Sequence, residues 1–178
     1  MRGEGVIMAD TGFKTASSVT NTSWTSISAS AINSSNNTYA TAQGTTFLVA
    51  TCNTFGFGVP TDATIDGIEI QAEFSVSVGA TNVATLQLSI SGNGGIGYSA
   101  TKSNTVTGTT DTTRTYGGAT DLWGEASFSE YATQDGNFYV KLEGKADLAF
   151  VSCRLDLLQV KIYYTEANAS GFFMLMGA

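Results

Sequence analysis

The side chains that most often do chemistry are scarce in this sequence, and their spacing is the first guide to its function. Histidine does not occur at all. Ser-His-Asp and Cys-His nucleophilic catalysis, and histidine-ligated metals, are excluded with it. Cys52 and Cys153 each stand alone in an apolar, strand-like stretch, without the paired spacing of a zinc or redox motif. They are expected as small buried core residues. A disulfide between two core strands is the alternative, and it demands a geometry that sequence does not supply. No GxxxxGK[ST] phosphate loop is present. The glycines of 92–97 join strand to strand and open no helix, so no nucleotide cofactor is expected.

Carboxylates are the remaining acid–base groups. Hydrolysis of a glycosidic bond needs two that flank it. Glu69 and Glu73 lie on the polar face of one predicted strand, among Ser and Gln, where a carboxylate is simply solvated. Asp62 with Asp66, and Asp111 with Asp121, offer oxygens for calcium but lack the dense spacing of a calcium loop. Catalytic, cofactor and metal sites are therefore expected to be absent, and the protein is expected to be no enzyme. Asn21, Asn33, Asn36 and Asn168 begin N-x-[ST] triplets, which a chain this rich in Asn, Ser and Thr produces by chance. Residues 2–10 hold no hydrophobic stretch of signal-peptide length, so glycosylation is not expected. Tyr98, Tyr116 and Tyr139 are candidates for stacking on sugar rings, with partly buried strand positions as the alternative.

The elements that must position these residues are strands. Residues 14–46 are dominated by Thr, Ser, Asn and Ala, whose side chains compete with helix for backbone hydrogen bonds. This segment is expected to run over the domain, pinned by Val19, Trp24, Ile27, Ile32 and Tyr39, with a loop at 33–37. Short strands are predicted at 47–51 and 54–57, followed by a turn around Pro60. From Asp66 onward the alternation is clear. Ile68, Ile70, Ala72, Phe74, Val76 and Val78 share one face, and Glu69, Gln71, Glu73, Ser75 and Ser77 the other. Leu86, Leu88 and Ile90 alternate before the glycine-rich turn. The Thr-rich 105–116 reads as an exposed or edge strand with a turn at Asp111.

Residues 117–135 read as a short helical or irregular lid, with Asp121 as N-cap and Leu122, Trp123, Ala126 and Phe128 partly buried. Phe138, Val140 and Leu142 form another alternating strand. In the last strand Ala149, Val151, Cys153, Leu155 and Leu157 share a parity that slips at Leu157–Leu158 and continues through Val160, Ile162 and Tyr164. The slip predicts a β-bulge, or a strand buried on both faces. The predicted core contains Ile68, Ile70, Phe74, Val76, Leu86, Leu88, Val140, Leu142, Val160 and Ile162. Such spacing, with at most one short helix, predicts an all-β fold: an antiparallel β-sandwich, jelly-roll-like, with an immunoglobulin-like topology second.

Composition agrees with a single domain of 178 residues. Hydrophobic residues make up 42%, enough to drive collapse, whereas charged residues make up only 13%. The net charge of −7, with eight scattered Lys and Arg, opposes direct binding to nucleic acid. No segment approaches the roughly 20 apolar residues of a membrane span. Three parts are expected: an N-terminal arm at 1–23, the sandwich at 24–166 and an apolar tail at 167–178. The tail holds Phe172, Phe173, Met174, Leu175 and Met176 beyond the last strand. An exposed run of this kind is expected to dock into a partner subunit, with folding back on its own domain as the alternative.

An ordered set of motifs carries a resemblance. Trp24 and the stretch from Asn36 through Ala42 come first, then Phe55-Gly56-Phe57 before Pro60 and Ile65-Asp66-Gly67-Ile68-Glu69-Ile70. Tyr116-Gly117-Gly118, Asp121-Leu122-Trp123-Gly124, Asn137-Phe138-Tyr139-Val140 and Val160-Lys161-Ile162-Tyr163-Tyr164 complete it. Together they resemble β-sandwich structural proteins of tailed-bacteriophage virions, over roughly 24–165. The resemblance implies a module located on the virion and carries no catalytic residues with it. It implies a capsid cement or decoration protein, a homo-oligomer with a trimer favoured, whose partners are the major capsid protein or other virion proteins. The alternative is a tail- or fibre-associated receptor-binding module with a host glycan as partner.

Overall fold

The computed structural model describes residues 8–21 and 23–166. Among them two antiparallel sheets stack face to face, and helical structure is confined to two 3-10 turns, Ala29–Ala31 and Glu130–Thr133. The strands are β1 (Met8–Asp10), β2 (Lys14–Thr15), β3 (Ser18–Asn21), β4 (Ala40–Gln43), β5 (Leu48–Asn53) and β6 (Thr64–Val76). They continue with β7 (Val83–Ser91), β8 (Lys102–Thr107), β9 (Thr112–Gly118), β10 (Tyr139–Ala146) and β11 (Ser152–Thr165). One sheet runs β4-β11-β6-β9 and the other β5-β10-β7-β8. From β4 to β11 successive strands cross between the sheets, except that β7 and β8 pair within one, which is the order of a jelly roll, as predicted. The stretch expected as an arm supplies strands to both sheets: β1 and β2 pair with β11, and β3 pairs with β5.

Alternation places the core where the sequence puts it. Ile68, Ile70, Phe74 and Val76 from one sheet meet Leu86, Leu88, Val140 and Leu142 from the other, all fully buried together with Val160 and Ile162. Each such side chain contributes about 1.5–3 kcal/mol by leaving water. Val78 departs from the expectation. It lies beyond the end of β6 and is 51% exposed, because the chain has already turned away from the sheet. Cys52 and Cys153 are buried and free, which resolves the disulfide alternative. Burial pushes the Cys153 thiol up to about 12 and raises that of Cys52 as well, so both behave as inert core residues.

Four local expectations are corrected or refined. Residues 54–57 form no strand, because Thr54 adopts φ +62° and breaks the pleat. Phe55 and Phe57 instead stack at 5.2 Å, and Phe138 meets both rings edge-on. The Thr-rich 105–116 is edge strand with a turn before Thr112, as expected, but its two arms are the end of β8 and most of β9, which lie in different sheets. Of the two alternatives for the lid the irregular one holds, with a single 3-10 turn at Glu130–Thr133. Asp121 Oδ1 accepts the Trp123 N–H at 2.8 Å, Trp123 turns left-handed at φ +60°, and its indole donates to the Ile68 carbonyl at 2.9 Å. Ala126 is exposed, not buried.

The bulge in β11 falls at Asp156, between Leu155 opposite Phe74 and Leu157 opposite Glu73, so Leu157 no longer faces the core. The sequence signal could not separate these positions, because a buried carboxylate breaks the apolar pattern. Asp156 is buried since its Oδ2 accepts the backbone N–H groups of Asn36 and Asn37, at 3.1 and 3.0 Å. That bond ties the loop at 33–37 to the sheet.

Candidate binding cleft at one end of the sandwich

At the end of the sandwich where β7 finishes and β10 begins, the connections 92–101 and 119–138 rise side by side. They enclose a cleft of about 470 Å³. Its floor is the last turn of β7, Ile90 and Ser91. One wall is the glycine-rich loop with Asn93, Ile96 and Tyr98, and the other carries Glu125, Ser127 and Phe128.

Both walls are held by hydrogen bonds from small polar residues. The buried Ser91 hydroxyl donates to Asn93 Oδ1 at 2.7 Å and accepts the N–H groups of Asn93 and Gly95. The Ser99 hydroxyl accepts the Ile90 N–H at 3.0 Å, while the Ser99 N–H returns to the Ile90 carbonyl at 2.8 Å. The Gly94 N–H reaches across to the Asn137 carbonyl at 2.9 Å and joins the two connections. On the second wall Ser129 caps the 3-10 turn, its Oγ accepting the Ala132 N–H.

Gly92 is required by close approach. A Cβ there would lie 2.7 Å from both the Phe128 ring and the Ala132 Cβ. Phe128 thus packs against bare backbone, half-buried, and forms an apolar surface in the cleft. Ile96 stands at the lip, 76% exposed, and Tyr131, in the neighbouring turn, is 61% exposed. Ile96 belongs to the cleft lining and Tyr131 lies one residue from it; both are large apolar groups left in water.

The predicted sugar-stacking tyrosines are separated by the structure. Tyr98 lines the cleft, half-buried. Burial, with the neighbouring Tyr139, raises its hydroxyl above the ordinary tyrosine value. Tyr139 begins β10 and packs with Tyr98 against Gly95. Tyr116 belongs to the core: it is buried and its hydroxyl donates to the Leu86 carbonyl at 3.1 Å, so it cannot meet a ligand.

The carboxylate pairs are not assembled for chemistry. Glu69 accepts the Tyr163 hydroxyl at 2.6 Å and the Gln71 amide at 3.0 Å on the outer face of β6. Asp66 accepts the Thr165 hydroxyl. Asp111 and Asp121 flank opposite ends of β9, where Asp111 accepts the Tyr39 hydroxyl and Asp121 pairs with Lys102 at 2.8 Å. Among the described residues, no group of three or more Cys, Asp or Glu could hold a metal ion. Phe172, Phe173, Met174, Leu175 and Met176, expected to dock to a partner, lie outside the described residues.

Sequence reasoning missed Ile96, Glu125 and Ser127. Ile96 carried a usable signal, a branched apolar residue flanked by glycines in a turn that had no need of it. Glu125 and Ser127 carried none, since an acidic residue and a serine in a polar loop are ordinary.

No protein-family model matches the sequence, and no curated protein matches it significantly. Among solved structures, a truncated AlyQ with CBM32 and alginate lyase domains aligns with TM-score 0.53 and 14% identity. The alignment covers 92% of this chain and 35% of that one, so the chain spans about a third of that protein's length. The CBM32 of AlyQ in complex with 4,5-unsaturated mannuronic acid aligns with TM-score 0.51 and 14% identity, over 83% of this chain and 96% of that one. At such identity the likeness is one of fold: a β-sandwich shared with carbohydrate-binding modules.

Proposed function

We propose that this chain is a non-catalytic glycan-binding module that holds carbohydrate in the cleft between 92–101 and 119–138. The observation that carries the reading is the cleft itself. It is concave, walled by strand-anchored loops, and combines an apolar surface at Phe128 and Ile96 with hydroxyl and carboxylate groups. A sugar ring has the same duality, with an apolar C–H face and a rim of hydroxyl groups. The fold is one that carbohydrate-binding modules use, and one such neighbour is described in complex with an unsaturated uronic acid.

The motif resemblance to virion proteins suggests where such a module works, on a phage particle that must hold a host surface. Capsid cement is the weaker use of that resemblance. Its support is the apolar tail, outside the described residues, and neither structural neighbour is a virion protein.

The test is a glycan array spanning neutral, N-acetylated, uronic and sulfated chains, followed by calorimetry on the ligands found. Phe128→Ala should weaken binding about tenfold, since an aromatic contact of this kind is worth about 0.5–1.5 kcal/mol. Thr113→Ala, on the exposed side of β9, should leave affinity unchanged. An array without ligands, or affinity indifferent to Phe128→Ala, refutes the proposal.

A further inference from the structure

The charge around the cleft goes further and narrows the ligand class. We infer that the cleft accepts uncharged sugar units, hexoses or N-acetylhexosamines, and rejects uronate and sulfated glycans. This rests on the glycan-binding reading above.

Recognition of a carboxylate or sulfate requires a cation or a set of free backbone N–H groups aimed at it. No Lys or Arg lines the cleft. Glu125 is the one Asp, Glu, Lys or Arg in its lining. The connections that build this end of the sandwich add Asp62, Asp121, Glu130 and Asp135 and, among the described residues, no Lys or Arg; the adjoining cation is Lys102, the first residue of β8. Lys102 is held 2.8 Å from Asp121 and sits 5.2 Å from the Trp123 ring centre. Lys141, on β10, is 3.1 Å from Glu143 and lies over the Tyr98 ring at 5.3 Å. Arg154 is engaged elsewhere, by Ser75 and the Thr109 carbonyl.

Several of the backbone donors are committed as well. In the glycine-rich loop the N–H groups of Asn93 and Gly95 go to Ser91 Oγ, and that of Gly94 goes to the Asn137 carbonyl. At the 3-10 turn the Ala132 N–H goes to Ser129. An anion entering the cleft would meet the Glu125 carboxylate with no cation in the lining to offset the repulsion.

An uncharged sugar suits the same groups. Its hydroxyl or acetamido N–H groups donate to Glu125, a charge-assisted bond that a uronate carboxylate cannot make. Its C–H face lies against Phe128 and Ile96. Glu125 and Ser127 are exposed at the cleft, and neither side chain has a hydrogen-bond partner among the described residues.

The test compares each neutral oligomer of glucose, galactose or N-acetylglucosamine that binds with its own C6-oxidised form, where that hydroxymethyl is free. The pair differs only in carrying –COO⁻ in place of –CH₂OH. By calorimetry at low salt the oxidised partner should bind at least about tenfold more weakly, as like charges a few ångströms apart require. In about 1 M salt, where the Debye length is about 3 Å, the gap should narrow. Glu125→Lys, at an exposed position, should erase or reverse the preference while the protein stays folded by circular dichroism. Equal or tighter binding of the oxidised form by the unaltered protein overturns this inference and leaves the glycan reading standing. Failure of every neutral, oxidised and sulfated arm overturns the glycan reading itself.

Discussion

Adding one methyl group at Gly144 should destabilise the sandwich, although the position lies within a strand where alanine is normally preferred. Gly144 is in the middle of β10, and the Trp24 indole packs directly over it. A Cβ there would fall 2.4 Å from Trp24 Cζ2, 2.8 Å from Cη2 and 3.2 Å from the Ala42 Cβ. The indole cannot slide freely, because its N–H donates to the Leu48 carbonyl at 2.7 Å and the ring is 2% exposed. Overpacking of this kind costs about 1–3 kcal/mol. Pulling the indole off Leu48 adds about 0.5–1.5 kcal/mol. Against these, Gly→Ala restricts the unfolded chain and contributes about 0.4–1 kcal/mol of stability. The net expectation for Gly144→Ala is a loss of about 1–3 kcal/mol, read as a lower urea midpoint at unchanged slope. The mechanism is tested by repeating the substitution in a Trp24→Phe background, which removes the colliding Cζ2 and Cη2 atoms. There Gly144→Ala should become neutral or slightly stabilising, a coupling of at least about 1 kcal/mol. If it costs the same in both backgrounds, the collision with Trp24 is not its cause.

Two further outcomes are expected. Tyr39 is pushed up to about 12 by burial and by its hydrogen bond to Asp111, and Tyr163 up to about 12 by its hydrogen bond to Glu69 and by burial. Folded values above the unfolded value of about 10 mean that this stabilisation is complete below pH ~10 and is lost as pH rises through about 12. Urea titrations across that window, with tyrosinate absorbance as a second signal, should show a shallower decline for Tyr39→Phe and Tyr163→Phe; parallel curves would contradict the assignment. Gly92→Ala should displace Phe128 from the end of β7, weakening glycan binding about as much as Phe128→Ala, at a stability cost of about 1–3 kcal/mol. Unchanged affinity with unchanged stability would mean that Phe128 does not depend on that glycine.

Most of the sandwich was legible because strand alternation reports burial directly. Along most of β6 and β10 one rule holds, apolar inward and polar outward, so Ile68, Phe74, Val140 and Leu142 could be assigned without a structure. Legibility failed where a polar residue took a buried place for its hydrogen bonds. Asp156 occupies the bulge because two backbone N–H groups need its carboxylate, and no apolar pattern announces that. Ser75, fully buried on the nominally polar face of β6, is there to receive the Arg154 guanidinium. Left-handed residues such as Thr54 and Trp123 were invisible for a related reason. Neither is a residue type that advertises that conformation, so strand and helix were extended through them. The cleft was half legible. The glycine-rich turn and the aromatic lid were each recognised, but that they face one another follows only from the pairing of β7 with β10.

That pairing also determines how well the cleft can discriminate. Tyr139 lies opposite Ser91, Val140 opposite Ile90 and Leu142 opposite Leu88, so the roots of both walls are adjacent residues of one ladder. A slip by one residue would turn Val140 and Leu142 outward and forfeit core burial on both strands, so the register is fixed by the interior and not by the loops. The walls inherit that fixity through the Ser91 and Ser99 hydroxyls and the Gly94–Asn137 bond. Side chains that contribute nothing to this scaffold, Ile96, Glu125 and Ser127, are the ones left to meet a ligand. Their replacement should therefore alter what is bound without altering whether the domain folds, which is why charge reversal at Glu125 separates selectivity from stability so cleanly.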